Sequence, residues 1–242
     1  MNQRIEHEIA HGKKLKAGGA EDIWNWGSPA GQRRADRRAK YFIDLAKVKP
    51  GEKVLEIGCG TGLFTRKFFA ATKANITAID ISQELLDDAK RLLPEATFKV
   101  DDAMHLSFAN ESFDVVFGSS ILHHLEFDLA LKEIFRVMKK NGRMIFAEPN
   151  MLNPQIFVQK NVPFIKRWLG DSPDETAVVR WKLNNQMAKM GFTSVRIFPY
   201  DFLHPATPSF LIPLVYAIGR GVEQIPLLKE IAGSVIIYAE KH

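Results

Sequence analysis

The spacing of apolar residues changes several times along this chain, and each change marks a different element. Residues 31–47 place Ala35, Ala39, Phe42, Ile43 and Ala46 near one face at helical period, with Arg33, Arg34, Arg37 and Arg38 largely on the other. From residue 53 the pattern alternates. Short apolar runs at 53–57, 75–79, 97–100, 113–118 and 143–147 read as strands. Between them, 62–72, 82–93 and 129–139 carry helical spacing. Ser82 is a capping residue for the second of these helices and Pro94 stops it; Asn141-Gly142 ends the third. Near-continuous Val/Ile/Leu strands separated by helices predict a parallel sheet covered on both faces, a doubly wound α/β fold.

Beyond 147 the pattern loosens. Residues 150–173 hold prolines at 154, 163 and 173 with Phe157, Phe164 and Trp168, and read as an insertion with one or two short helices. A helix over 174–190 ends at Gly191, a strand follows at 193–198, and a last strand at 234–239. Between them, 201–232 has prolines at 205, 208, 213 and 226 around an apolar centre, 210–218. This divides the chain into an N-terminal helical arm, 1–50, and a domain over 51–242 with substrate-side insertions at about 150–173 and 201–232.

Composition narrows the class. Apolar residues at 46% and charged residues at 25% are the balance of a globular protein. No run approaches the ~18 apolar residues of a membrane span, and the N-terminus lacks the apolar core of a secretory signal. The single cysteine, Cys59, excludes an internal disulfide. A cytoplasmic location is the expectation. The net charge of +5 is concentrated at one end: residues 1–40 hold nine Lys/Arg against five acids. Such an arm fits an anionic partner (a phosphate-bearing substrate, RNA or the inner membrane surface) or is simply a solvated helix face.

The chemistry starts at Gly58-Cys59-Gly60-Thr61-Gly62. Alternate glycines directly after an apolar strand allow a tight turn and close approach of backbone to a ligand, and the following helix offers free N–H groups. Glu56 sits near the end of the first strand, Asp80 at the end of the second and Asp102 just after the third. Three acids at successive strand ends line the rim where open α/β sheets bind ligands. A carboxylate about 20 residues after the glycines can accept bonds from both ribose hydroxyls, and one at Asp102 from an exocyclic amine.

With these residues in view, the chain resembles the class I S-adenosylmethionine-dependent methyltransferases. The carriers are VLEIGCGTG (54–62), ITAIDIS (76–82), FKVDDAMHLSF (98–108), FDVVFGSSILHHL (113–125) and LKEIFRVMKKNGRMIFAEPN (131–150). The resemblance implies a seven-stranded Rossmann-like sheet with the last strand antiparallel, and S-adenosyl-L-methionine as cofactor. It implies a methionine cradle at Gly58, Cys59, Gly60 and Gly62 with Glu56 alongside, a ribose contact at Asp80 with Ile81, an adenine contact at Asp102 with Ala103, and Ser119 and Ser120 beside the acceptor. The rival dinucleotide fingerprint wants glycine at position 63, which is leucine.

A sulfonium donor is already activated, so the protein must chiefly align donor and acceptor and exclude water, with a base only for an acceptor that holds its proton. His123, His124 and Glu148 are the catalytic candidates, ahead of His105 and His204. No metal set shows in the spacing. Ser119-Ser120-Ile121-Leu122 lacks the Asn/Asp-Pro-Pro-aromatic run of the family's amino-methylating nucleic-acid enzymes. A small-molecule or lipid-linked acceptor is the expectation, nucleic acid is not, and the sequence is silent on oligomeric state. Trp24, Trp26, Phe157, Phe164, Trp168 and Phe210 line an apolar acceptor pocket or fill a core. The 210–218 segment, with the basic arm, suggests peripheral contact with an anionic membrane. The alternatives are a non-catalytic cofactor-binding scaffold and an RNA-directed enzyme using the arm.

Overall fold

Seven strands form one sheet in the order β3-β2-β1-β4-β5-β7-β6. This is a computed structural model, and it describes residues 18–169 and 175–242. The strands are β1 (Lys53–Ile57), β2 (Asn75–Asp80), β3 (Thr97–Val100), β4 (Phe113–Ser119), β5 (Met138–Pro149), β6 (Phe192–Tyr200) and β7 (Ser234–Lys241). β1 to β5 pair in parallel, and β7 runs antiparallel between β5 and β6. The expected seven-stranded doubly wound sheet with its last strand antiparallel is therefore what the chain adopts.

The helices are α1 (Ala20–Ile23), α2 (Pro29–Ala46), α3 (Leu63–Thr72), α4 (Gln83–Leu92), α5 (Phe127–Val137), α6 (Pro154–Asn161), α7 (Pro163–Trp168), α8 (Arg180–Lys189) and α9 (Ile212–Val222). They bury the sheet between two apolar layers. On one side Leu55, Val116, Leu131, Ile134 and Phe146 pack together; on the other lie Val54, Phe68, Phe117 and Ile145. α2 belongs to the second layer: Ala35, Ala39, Phe42 and Ala46 are buried in it, as the helical spacing predicts. Ser28 caps α2 by accepting the Gly31 N–H, with Pro29 at the first position. Ser82 caps α4 in the same way, through Leu85 N–H.

Three expectations change. The helix expected over 129–139 is α5 and ends at Val137; Met138 already pairs with Phe113, and a register shift between Phe113 and Val115 lets β5 begin ahead of Asn141-Gly142. The helix expected over 174–190 starts only at Arg180, because Val178 bridges to Asn150 and its N–H donates to Pro149 O; residue 174 lies outside the described residues.

Most of the arginine face of α2 is packed rather than solvated: Arg38 is buried, Arg34 and Arg37 are half-buried, and Arg33 is exposed. Arg34 Nε lies 2.8 Å from Asp201 Oδ2, Arg37 Nη1 lies 2.7 Å from Glu223 Oε1, and Arg33 stacks over Tyr216 at 4.5 Å. α2 thus straps the segment after β6 onto the sheet. Arg34, Arg37 and Arg38 are thereby engaged within the fold, while Arg33 keeps an exposed side; residues 1–17 lie outside the described part.

Candidate active site at the strand ends

β1 delivers the chain into the glycine turn. Gly58 and Gly60 have φ of +68° and +53°, a region where side chains are strained. A Cβ at Gly58 would come within 2.5 Å of Ile121, and one at Gly60 within 2.8 Å of Trp24. The turn is therefore a cradle that only glycine permits. Asp80, at the end of β2, braces it: Oδ2 accepts the Gly60 N–H at 2.8 Å and Oδ1 the Ser82 N–H at 2.9 Å.

The turn opens into a cavity of about 800 Å³, within the ~300–1,000 Å³ range of small-molecule sites. Gly58, Cys59, Gly60, Asp80, Ile81, Asp102, Ala103 and Ser119 line it, as does the His123–His124 pair. Asp102 is held by the Met104 N–H at 2.9 Å and sits 3.0 Å from Nδ1 of the exposed His105. Trp24 and Trp26 close one wall, while residues of α6 and of the 202–206 loop close the far end.

Three predicted site residues, Glu56, Gly62 and Glu148, do not line the cavity. Gly62 packs against α4, where its Cβ would meet Ala89 at 3.0 Å. Glu56 is fully buried behind the turn beside Thr65, and burial, reinforced by the Asp80 charge, pushes its carboxyl up to about 8. Cys59 faces the cavity, but burial raises its thiol well above the ordinary range, so it is no nucleophile. Glu148 does not reach the rim. It is wholly buried behind the Leu122–His124 turn, where Oε1 accepts the Ile121 and Leu122 N–H groups at 3.0 and 2.9 Å and Oε2 lies 2.7 Å from His123 Nδ1. These bonds outweigh burial and keep Glu148 ionised. Burial holds His123 below the ordinary histidine range, so the imidazole is neutral at neutral pH and directs its Nδ1–H to Glu148.

The aromatic expectation divides. Trp24 and Trp26 line the cavity, but Phe157, Phe164, Trp168 and Phe210 are 55–81% exposed and form neither pocket nor core.

Two groups escaped sequence reading. Arg38 is 3% exposed and lines the cavity. Its guanidinium donates to Tyr200 OH at 2.9 Å, Ser119 Oγ at 2.8 Å, Ser120 Oγ at 2.9 Å and Ser234 Oγ at 3.2 Å. Among the described residues no carboxylate neutralises it. A buried cation satisfied only by hydroxyls fits a ligand carboxylate, such as that of an amino-acid-bearing cofactor. Glu175 is the second. Sequence spacing offered no metal set, yet the fold sets Glu175 Oε1 at 3.6 Å from His124 Nδ1. The arginine run hid Arg38 among surface-like neighbours, and no short-range spacing links 175 to 124.

Residues 55–146 match a family described as a methyltransferase domain. The chain is 29% identical over 163 residues to an uncharacterized methyltransferase-like protein of Schizosaccharomyces pombe, covering 67% of this chain and 60% of the relative. It is 36% identical over 129 residues to demethylmenaquinone methyltransferase of Lactobacillus johnsonii, covering 49% and 52%. The matched region thus spans about half to three fifths of these curated relatives. The fold also aligns with phosphoethanolamine N-methyltransferase 2 of Haemonchus contortus in complex with S-adenosylhomocysteine, with a TM-score of 0.66, 17% identity, and coverage of 93% of this chain and 57% of that one. Residues 55–146 thus match a methyltransferase domain, set within this seven-stranded sheet.

Proposed function

We propose that the protein transfers a methyl group from S-adenosylmethionine to a small, largely apolar acceptor by in-line displacement. One observation carries the reading: the glycine cradle, Asp80 and the His123–His124 pair open into a single cavity. The cofactor supplies an electrophilic methyl when bound. In this reading Asp80 and Ile81 hold the ribose, Asp102 and Ala103 the adenine, and Gly58, Cys59 and Gly60 the methionine, whose carboxylate meets Arg38. Trp24 and Trp26 keep water from the cradle. Glu148 fixes the His123 ring, and His123 and His124 face the acceptor, where a neutral imidazole can take a hydroxyl proton. Glu56 and Gly62 support the loop without touching the ligand. The division into an arm at 1–50 and a domain over 51–242, with the insertions forming the acceptor side, is part of the same reading.

The acceptor is a quinol- or lipid-like molecule. The name of the Lactobacillus relative points to a quinone-type substrate, and α6, Leu169 and the 202–206 loop line the cavity. Phe164 and Trp168 on α7, Phe210 and Leu227 are 77–81% exposed near those elements. Residues 154–169 hold no acid; of their cations Lys160 and Lys166 bond to Glu175, and Arg167 is exposed beside these aromatics. Together they support peripheral contact with an anionic membrane surface. Among the described residues no helix is long and apolar enough to cross a membrane.

Calorimetry with S-adenosylhomocysteine and labelled-methyl transfer to quinols, phenols, sugars and lipids test the proposal. Binding plus turnover on a quinol or lipid is expected. Binding without any turnover selects the scaffold reading, and no binding overturns the cofactor assignment. Flotation with anionic liposomes at low salt tests the membrane contact; failure to float removes it.

A further inference from the structure

His123, His124 and Glu175 meet at the acceptor end of the cavity, although fifty residues separate the glutamate from the pair. Successive positions on the Leu122–His124 turn place the two imidazoles side by side, with ring centroids 4.2 Å apart and planes inclined at 41°. Glu175 Oε1 reaches His124 Nδ1 at 3.6 Å. One donor atom from each of the three residues lies within 4.8 Å of the other two. The geometry points to a divalent transition-metal site formed by His123, His124 and Glu175.

Ligands of a tetrahedral zinc ion, bound at ~2.0–2.2 Å, stand about 3.4 Å apart. Here the donor atoms lie within 4.8 Å of one another, so binding an ion requires the rings to draw inward. The surroundings match what such ions require. Glu148 accepts the Nδ1–H of His123 at 2.7 Å and is itself fixed by two backbone amides. That arrangement leaves the Nε2 lone pair of His123 free as a ligand, with a carboxylate behind the ring to orient it. Lys160 Nζ, 2.6 Å from Glu175 Oε2, engages one oxygen of that carboxylate, while Oε1 is turned to His124 Nδ1 at 3.6 Å. Lys160 opposes a cation, and Lys166 Nζ stands 2.7 Å from the Glu175 carbonyl oxygen; the carboxylates of Glu148 and Glu175 balance these two ammonium groups. Two imidazoles and one carboxylate suit zinc, manganese, iron or cobalt rather than magnesium or calcium.

Three protein ligands leave coordination positions open, the pattern of catalytic rather than structural ions. All three residues line the cavity, so the open positions face the acceptor. An acceptor oxygen bound there would lose its proton more readily. This role rests on the methyltransferase reading; the binding of the ion does not.

The test uses the full chain, stripped with a chelator and titrated with Co²⁺ while visible absorption is recorded. A saturable one-to-one absorption band, reversed by Zn²⁺, is expected. Glu175→Gln and His124→Ala should each lower Co²⁺ affinity at least tenfold, and Glu148→Gln about tenfold or more through His123. His242→Ala, at the exposed C-terminus, should leave the titration unchanged. Absence of a saturable band in the wild-type protein overturns the site, whatever the variants do, and so does an unaltered titration in folded Glu175→Gln and His124→Ala. S-adenosylhomocysteine binding is measured on the same samples. If it persists without a Co²⁺ signal, only the metal site falls; if it is absent, the cofactor reading falls independently.

Discussion

Replacing Glu56 by glutamine gives a stability change that grows with pH. Glu56 is completely buried beneath the glycine turn, and its carboxyl is raised from 4.5 to about 8, first by burial and then by the neighbouring Asp80 charge. The folded state therefore binds this proton more tightly than the unfolded chain does. Folding stability from this group is fully present below about pH 4.5 and is lost as pH rises toward 8, where the native state must ionise a buried acid or keep a proton that the unfolded chain has released. Each pH unit in that window is worth about 1.36 kcal/mol, so the total loss approaches ~4–5 kcal/mol. Glutamine is close in shape and does not ionise. Urea unfolding of both proteins from pH 5 to 8.5 should show Glu56→Gln gaining on wild type by about 1.4 kcal/mol per unit, then levelling near pH 8. Any constant offset from the amide cancels in that slope. Parallel stability profiles across the range would refute the raised carboxyl.

Arg38→Gln should weaken S-adenosylhomocysteine by roughly 10–150-fold, the worth of a charge-assisted bond. It should leave 5′-methylthioadenosine, which lacks the amino-acid carboxylate, unaffected; equal losses for both ligands in calorimetry would deny the carboxylate contact. Asp80→Ala removes the brace on Gly60 and Ser82 as well as a ligand acceptor, so cofactor binding should fall by about 2–3 kcal/mol, and unchanged affinity would refute its role. Phe117→Ala, which deletes a fully buried ring stacked on Phe68 at 4.5 Å, should cost ~3–5 kcal/mol in urea unfolding; a loss below ~1 kcal/mol would mean that the layer repacks.

Much of the fold was legible because it is written in local periods. The β1 and β3 boundaries, the Ser82 cap and the two short helices at 154–168 follow from apolar runs, a capping hydroxyl and paired prolines. The boundary after α5 was misread, because Asn141-Gly142 is an equally good stop for a helix and a bend in a strand, and only the pairing of Met138 with Phe113 decides.

By itself the sequence pointed to the glycine turn, to Asp80 and Asp102, and to parallel strands whose ends share one rim. Each depends on neighbours within a few residues or on a repeated strand–helix unit. Tertiary structure alone decided the fate of the charged groups. Arg33, Arg34, Arg37 and Arg38 look alike in the chain, yet one stacks on an aromatic ring, two pair with acids about 170–190 residues away, and one is buried against hydroxyls from three strand ends. Glu148 and Glu175 likewise found the two histidines across 25 residues and about 50. The energy of a charge depends on burial and on partners brought near by folding, and no local period records either.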